Sequence, residues 1–188
     1  MVKYSAQEKK TLQRAAASTY HKGGKGPEGY LLDRSLSGQR AKVYYNPKTK
    51  KTIIAHRGSQ GAKDWLVSDA ALVADTAFGT KLQQKTKRYK YAERIQKAAE
   101  KKYAGTDITT TGHSLGGHLA RTAGKKGKVV TFNSGYDRFH GGSVKNSQEV
   151  NYRNQNDLVS KFTHNPSNTI SKKTKFKGYI NAHKIGSS

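Results

Sequence analysis

The stretch DITTTGHSLGGHLA, residues 107–120, places a serine between two glycines at the junction of two different local patterns. The β-branched run before Ser114 is typical of a strand, and the residues that follow it can continue as a helix. In a G-x-S-x-G elbow the serine occupies the sharp turn between such a strand and helix, and the glycines permit close backbone approach. The stretch therefore predicts a nucleophile elbow at Gly112–Gly116, with Ser114 as the candidate nucleophile.

Strands and helices alternate on both sides of this elbow. The predicted strands are residues 43–45 and 52–55, joined by a turn at Asn46-Pro47, and residues 108–111, 128–132, 150–153 and about 178–182. The predicted helices are residues 5–20, which begin with a Ser5 and Glu8 capping-box pattern, residues 64–78, and residues 87–104. This alternation predicts a single α/β domain over residues 1–188, with a mainly parallel sheet flanked by helices.

The chain is strongly basic, with 36 Lys plus Arg against 12 Asp plus Glu and a net charge of +24. Nucleic acid, anionic phospholipid headgroups and acidic proteins would all be attracted to such a surface. The lysines are spread along the whole chain, which indicates a charged coat rather than a localised recognition helix. The 33% of hydrophobic residues fall in short runs, which favours a folded domain over disorder.

Several kinds of site and segment find no support in the sequence. There are no cysteines, so disulfides and thiolate chemistry are excluded. The His, Asp and Glu residues show no ligand spacing, and no metal or cofactor is predicted. With no signal-peptide pattern and no apolar run of about 18 residues, we expect an intracellular or virion-associated protein.

A nucleophilic serine needs a base, and the base needs an acid to hold its tautomer; in α/β hydrolases the chain order is serine, acid, histidine. Asp157 with His183 satisfies this order, and both follow predicted strands. His164 is a competitor for His183. The N–H of Leu115, at the start of the helix, can stabilise a developing oxyanion.

A second pair, Asp137 with His140, also satisfies the order. These two residues are only three positions apart in a glycine-rich loop. The order of residues alone leaves both pairs open.

Motifs spread along the chain resemble those of the class 3 lipases, the fungal triacylglycerol lipase-like branch of the α/β hydrolases. They are GHSLGG at 112–117, TIIAHRGSQGAKDWLVSDA at 52–70, VVTFNSG at 129–135, NDLVSKF at 156–162 and AHKI at 182–185. The resemblance implies Ser114 as nucleophile, Asp157 as acid and His183 as base. It also implies an oxyanion hole formed by the N–H and hydroxyl of Ser59 and the N–H of Leu115.

The chain departs from the family pattern at several positions. Asn133 replaces the glycine of Phe-Gly-Ser, His56 replaces an aromatic residue, and Ser160 replaces a proline. The segment between Ser59 and Trp65 is short and contains no amphipathic lid. None of these changes removes a catalytic atom.

Two functions follow from these observations. The first is a serine carboxylic-ester hydrolase, a lipase, phospholipase or esterase, that cleaves lipid or acyl-ester substrates through an acyl-enzyme at anionic membrane surfaces. The alternative is a polyanion-binding protein of virion type that binds nucleic acid and whose hydrolase fold is secondary or inactive.

Overall fold

A seven-stranded β-sheet forms the centre of the computed structural model, which describes residues 2–23, 25–59, 87–124, 126–134, 148–157 and 168–173. The strands lie in the sheet in the same order as in the chain. They are β1 (Leu31–Leu32), β2 (Ala41–Asn46), β3 (Lys51–His56), β4 (Asp107–His113), β5 (Lys128–Phe132), β6 (Glu149–Asn154) and β7 (Thr169–Lys172). The predicted helix at 64–78 and the predicted strand near 178–182 lie outside the described residues.

The sheet is parallel from β3 to β7 and antiparallel from β1 to β3. β2 and β3 form the predicted hairpin, in which Val43 pairs with Ile54. The turn between them contains Lys50 with a φ of 50°. The mainly parallel α/β architecture is confirmed, and the short strands β1 and β7 are additions to it.

Helices cover both faces of the sheet. They are α1 (Ala6–Ser18), α2 (Lys87–Lys102) and α3 (Leu115–Ala123). Helix α1 begins with the capping box expected from the sequence, since Ser5 Oγ accepts from the Glu8 N–H at 3.2 Å and Glu8 Oε2 accepts from the Ser5 N–H at 3.0 Å. Both bonds of that motif satisfy N–H groups that the helix itself leaves unpaired.

Each face of the sheet has its own apolar layer. On one face α1 contributes Leu12 to a cluster that includes Val130 and Phe132. On the other face α2 packs Ile95 against Val43, and α2 and α3 pack against each other through a separate small cluster. Burial of these layers is the main source of stability and fixes the sheet between the helices.

A buried ion pair and its hydrogen bonds connect α3 to strand β6. Arg121 Nε lies 2.6 Å from Glu149 Oε1, and both side chains are at most 5% exposed. Asn151 Nδ2 donates to the same Glu149 oxygen at 2.8 Å, and Thr131 Oγ1 donates to Asn151 Oδ1. The helix after Ser114 and the strand before Asp157 are therefore joined through the core.

The carboxyl ends of the central parallel strands meet at one edge of the sheet. His56 is paired with Gly112, and His113 with Phe132, at the ends of their strands. Candidate site residues follow three of these strands directly, so the register brings them to a common edge. In open α/β sheets, ligands bind at this edge.

Candidate active site

Ser114 occupies the turn between β4 and α3 in a strained backbone conformation. Its φ is 56° and its ψ is −129°, a region that residues with a side chain rarely adopt. The Ser114 N–H donates to the Phe132 carbonyl at 3.2 Å, and the Ser114 carbonyl accepts from Gly117 N–H at 2.9 Å. Its side chain does not cap α3. The surrounding hydrogen bonds hold the strain, as is typical of a functional position.

The glycines on either side of Ser114 are required by close packing of backbone on backbone. A Cβ at Gly112 would overlap the carbonyl group of Gly116. A Cβ at Gly116 would overlap the carbonyl oxygen of His56 and would lie 2.7 Å from the nitrogen of Gly58. Helix α3 therefore starts directly against the end of β3, a distance that only glycine allows.

Ser59 and Leu115 lie at this same edge. Gly58 is so close to the elbow that a Cβ there would stand 2.7 Å from the carbonyl oxygen of His113, which brings the following residue, Ser59, beside the elbow. Ser59 Oγ is buried and has no hydrogen-bond partner among the described residues. Leu115 is the first residue of α3, where the N–H has no acceptor inside the helix. Both predicted oxyanion donors thus lie close to Ser114 along the backbone of the elbow region.

Arg88, which the sequence analysis did not single out, holds the segment before Ser59. Its Nη2 donates to the carbonyl oxygens of Arg57 at 2.7 Å and Gly58 at 3.0 Å. This contact fixes two consecutive carbonyl groups and so orients the peptide leading to Ser59. Within the lysine-rich TKRYK stretch no local pattern distinguishes this arginine from its neighbours.

Asp157 is fully buried, in a turn directly after β6. Its N–H donates to the Asn154 carbonyl at 3.1 Å. Burial lowers the pKa of the nearby Arg153, and the negative charge of Asp157 opposes that shift. A buried carboxylate at the carboxyl edge of the sheet, beside a cation, is suited to the role of the triad acid.

Asn133, one of the departures from the family pattern, supports the turn that carries Asp157. It has a φ of 43°, and asparagine tolerates this region better than most residues. Its Oδ1 accepts from the Asn154 N–H at 2.8 Å, and its own N–H donates to the Tyr152 carbonyl at 2.8 Å. Asparagine at this position is compatible with the left-handed backbone and supplies a hydrogen bond to the end of β6.

The described histidines near the elbow have local partners. His113 Nδ1 hydrogen-bonds with the Tyr20 hydroxyl at 3.0 Å. His56 Nε2 donates to Gln96 Oε1 at 3.3 Å, and burial lowers the pKa of His56 to about 4, so its ring is neutral at physiological pH. His118 is 1% exposed.

The described residues do not include the predicted base. His183, its competitor His164, and the pair Asp137 and His140 all fall outside the described residues. The choice of base therefore stays a prediction.

Comparison with known proteins now identifies the family. The family model of the Tle-like phospholipase domain, a phospholipase-like family, matches residues 4–163. The chain belongs to this family. No curated protein matches the sequence.

Solved lipase structures share the fold. The Rhizomucor miehei lipase propeptide complex is 15% identical with a TM-score of 0.54, and the alignment covers 85% of this chain but 66% of that one. Lip2 lipase from Yarrowia lipolytica is 13% identical with a TM-score of 0.57, covering 93% and 80%. A triacylglycerol lipase whose catalytic centre is described as a serine protease triad is 15% identical with a TM-score of 0.57, covering 83% and 74%.

The predicted resemblance to the class 3 lipases and the α/β-hydrolase-type fold are confirmed by these matches. Family and fold together place the chain among the lipid ester hydrolases. Within the described ranges, no helix has both the length and the apolar character needed to cross a bilayer.

Proposed function

We propose that this protein hydrolyses carboxylic esters of lipids through a serine acyl-enzyme. The observation that carries the proposal is the strained backbone conformation of Ser114 at the turn between a strand and a helix. Gly112 and Gly116 allow the close backbone packing that this turn requires. Ser114 is the proposed nucleophile, His183 the base and Asp157 the acid. The serine protease triad described for a triacylglycerol lipase of this fold supports the assignment.

In the proposed reaction Ser114 Oγ forms a bond to the acyl carbonyl carbon as His183 takes the hydroxyl proton. The carbonyl oxygen becomes an oxyanion, and the N–H groups of Ser59 and Leu115 with the Ser59 hydroxyl stabilise it. The intermediate collapses, the bond to the alcohol breaks, and the alcohol leaves with the proton held by His183. Water then attacks the acyl-enzyme with His183 again as base, releasing the fatty acid and Ser114.

The buried Ser59 hydroxyl fits this role because a lipid oxyanion would supply the acceptor it lacks among the described residues. Arg88 would act as a positioning residue, since it fixes the two carbonyls just before Ser59. An oxyanion donor contributes only when it is held in place before the charge develops.

The basic coat provides a means of reaching the substrate. A net charge of +24 would hold the protein on an anionic bilayer, where each basic residue near the surface contributes about 1 kcal/mol. Binding to nucleic acid follows from the same charge and is the alternative use of the surface. DNA binding that survives Ser114→Ala, with no ester hydrolysis by the wild type, would favour that alternative.

Labelling with a fluorophosphonate probe and hydrolysis of p-nitrophenyl esters test the proposal. We expect labelling and hydrolysis by the wild type and neither by Ser114→Ala. Ser35→Ala, which alters an exposed-loop serine remote from the elbow, is the control and should retain both. Equal hydrolysis by the wild type and Ser114→Ala would refute the proposal.

The base is tested by comparing two histidine variants. We expect His183→Ala to lower kcat by roughly a thousandfold or more and His164→Ala to leave it near the wild-type value. The reverse result would transfer the role of base to His164.

A further inference from the structure

A cationic cavity lies beside the proposed active site. Its volume is about 500 Å³, and it is lined by the end of α1 and the loop after it, by residues 37–39, and by Lys42 and Arg57. Lys22 adds a third cationic side chain. Among the described residues that line it, none is acidic.

Two lining residues connect this cavity to the nucleophile. Tyr20 lines it and hydrogen-bonds with His113, the residue immediately before Ser114. Arg57 lines it and stands two positions before Ser59 in the same extended segment. The cavity therefore shares lining residues with the two segments that surround the elbow.

Lys42 is the most informative residue of the cavity. It is 8% exposed, and its Nζ donates to the carbonyl oxygens of Ser18 at 2.5 Å and His21 at 3.1 Å. These bonds cap the end of α1, but an ammonium has a third N–H and these acceptors are neutral. Lys42 makes no ion pair with any described carboxylate, and a buried cation without a counter-charge favours binding of an anion.

A second cavity, at the opposite edge of the sheet, differs from the first in how its positive charge is paired. It measures about 210 Å³ and also contains lysines. There Lys51 pairs with Glu8 at 3.0 Å, and Lys128 pairs with Asp107 at 2.7 Å. Its positive charge is neutralised by the protein itself, whereas no carboxylate is found among the described residues that line the cavity beside the elbow.

We propose that the cavity around Lys22, Lys42 and Arg57 binds the phosphate of a glycerophospholipid while Ser114 attacks one of its acyl esters. This inference rests on the proposed function and adds the residues that select the substrate. In a glycerophospholipid the phosphate and the ester groups are attached to the same glycerol unit. Sites for the two groups must then be neighbours, as the cavity and the elbow are.

Substrate selectivity is the first test. Hydrolysis of dihexanoyl phosphatidylglycerol is compared with that of dihexanoylglycerol, and the ratio of kcat/KM values is measured. We expect Lys22→Glu to lower this ratio about tenfold, since it replaces an attraction to phosphate by a repulsion. Lys42→Met retains the buried stem of the side chain, removes its charge and should also lower the ratio.

A matched lysine variant separates the pocket from the general charge. Lys48→Glu makes the same change of charge at an exposed turn on the opposite edge of the sheet, and it should leave the ratio at the wild-type value. An unchanged ratio in Lys22→Glu, or an equal fall in Lys48→Glu, would overturn the proposal. Because Lys22 is exposed, Lys22→Glu is expected to fold, and its ratio tests the proposal even if Lys42→Met does not fold.

Binding is read separately from catalysis in the Ser114→Ala protein. Titration followed by ¹H–¹⁵N NMR should show that dihexanoyl phosphatidylglycerol and inorganic phosphate shift amides of residues 19–23, and that Lys22→Glu weakens both. Binding of inorganic phosphate alone would overturn the headgroup assignment. Absence of ester hydrolysis by the wild-type protein, with phosphate binding retained, would instead refute the proposed function and leave the anion site standing.

Discussion

Replacement of Asn133 by glycine is expected to destabilise the protein and slow the reaction, although glycine is the residue that the related motif uses. Asn133 is fully buried, and its Oδ1 is the acceptor for the Asn154 N–H at 2.8 Å. Asn133→Gly keeps the φ of 43° accessible but leaves that buried N–H without this acceptor. Loss of one partner of a buried hydrogen bond costs about 1–3 kcal/mol, and we expect a fall of that size in the free energy of unfolding.

Alanine at the same position separates the hydrogen bond from the backbone. Asn133→Ala loses the same acceptor and in addition places a Cβ at a positive φ without a polar group to compensate. A left-handed conformation costs such a residue about 1–2 kcal/mol. The expected order of stability is therefore wild type, then Asn133→Gly, then Asn133→Ala.

Urea unfolding followed by far-UV circular dichroism measures these differences. Asn46→Ala is the control, because Asn46 Oδ1 also accepts from backbone N–H groups, at 3.0 and 3.1 Å, but at a turn that water reaches. Water replaces that acceptor, so the loss should stay below about 1 kcal/mol. Asn133→Gly as stable as the wild type, or Asn133→Ala more stable than Asn133→Gly, would refute the reasoning.

The Asn133→Gly variant also tests whether Asn133 holds the turn that carries Asp157. Asn133 holds the end of β6, and Asp157 follows three residues after Asn154. A small displacement of a catalytic group lowers the rate by roughly ten- to a hundredfold. We expect Asn133→Gly to lower kcat for an ester in that range with little change in KM, and an unaltered kcat would show that the turn is held by other contacts.

Three further predictions follow from buried groups. Gly116→Ala should lower the free energy of unfolding by about 3 kcal/mol or more, because its Cβ would overlap the backbone. Gly105→Ala, at a φ of 85° with no atom within 4 Å, should lower it by only about 1–2 kcal/mol through backbone strain. Equal shifts in Tm would contradict this prediction. Burial lowers the pKa of His56 from 6.5 to about 4, so between these pH values the unfolded chain binds more protons and the free energy of unfolding falls by up to roughly 3 kcal/mol as the pH drops. The difference in the free energy of unfolding between pH 7 and pH 4.5, measured with urea, should be smaller for His56→Phe than for the wild type. An unchanged difference would remove His56 as the cause. Arg121→Met should lower the free energy of unfolding by about 3–5 kcal/mol, because it leaves the charge of Glu149 buried without its partner. The double variant with Glu149→Leu should lose less stability than the sum of the two single variants. Additive losses would argue against the ion pair.

The elements around the elbow were predictable because their signals are local. The β-branched run before Ser114, the capping box at Ser5 and the apolar run at 128–132 each carry a pattern within a few residues, and the structure contains the corresponding strand or helix end. β7 was missed because it has four residues of mixed polarity and mostly exposed side chains. Such a strand is stabilised by its pairing with β6, which no local pattern indicates.

The contacts that hold the site were not predictable from local pattern. Arg88 reaches the carbonyls of Arg57 and Gly58 across about thirty positions of the chain. Tyr20 and His113 are still further apart in sequence. Nothing near any of these residues indicates its partner, because the partner is set by how α1, α2 and the sheet pack.

Asn133 was flagged by the sequence as a departure, but not explained by it. The substitution could be read only as a change from the motif. The positive φ and the bond to Asn154 supply its physical reason.

The sequence by itself determined the central strands and the helices around the elbow, the glycine-flanked serine, the family and the candidate residues for the triad, since each of these is written in local pattern or motif. Only the tertiary structure decided that Ser59, Leu115 and Asp157 lie at the same edge of the sheet as Ser114. It also decided that Lys22, Lys42 and Arg57, drawn from an evenly basic chain, line one cavity. The physical reason is that parallel strands bring their carboxyl ends together however far apart they lie in sequence, and no local pattern records that distance.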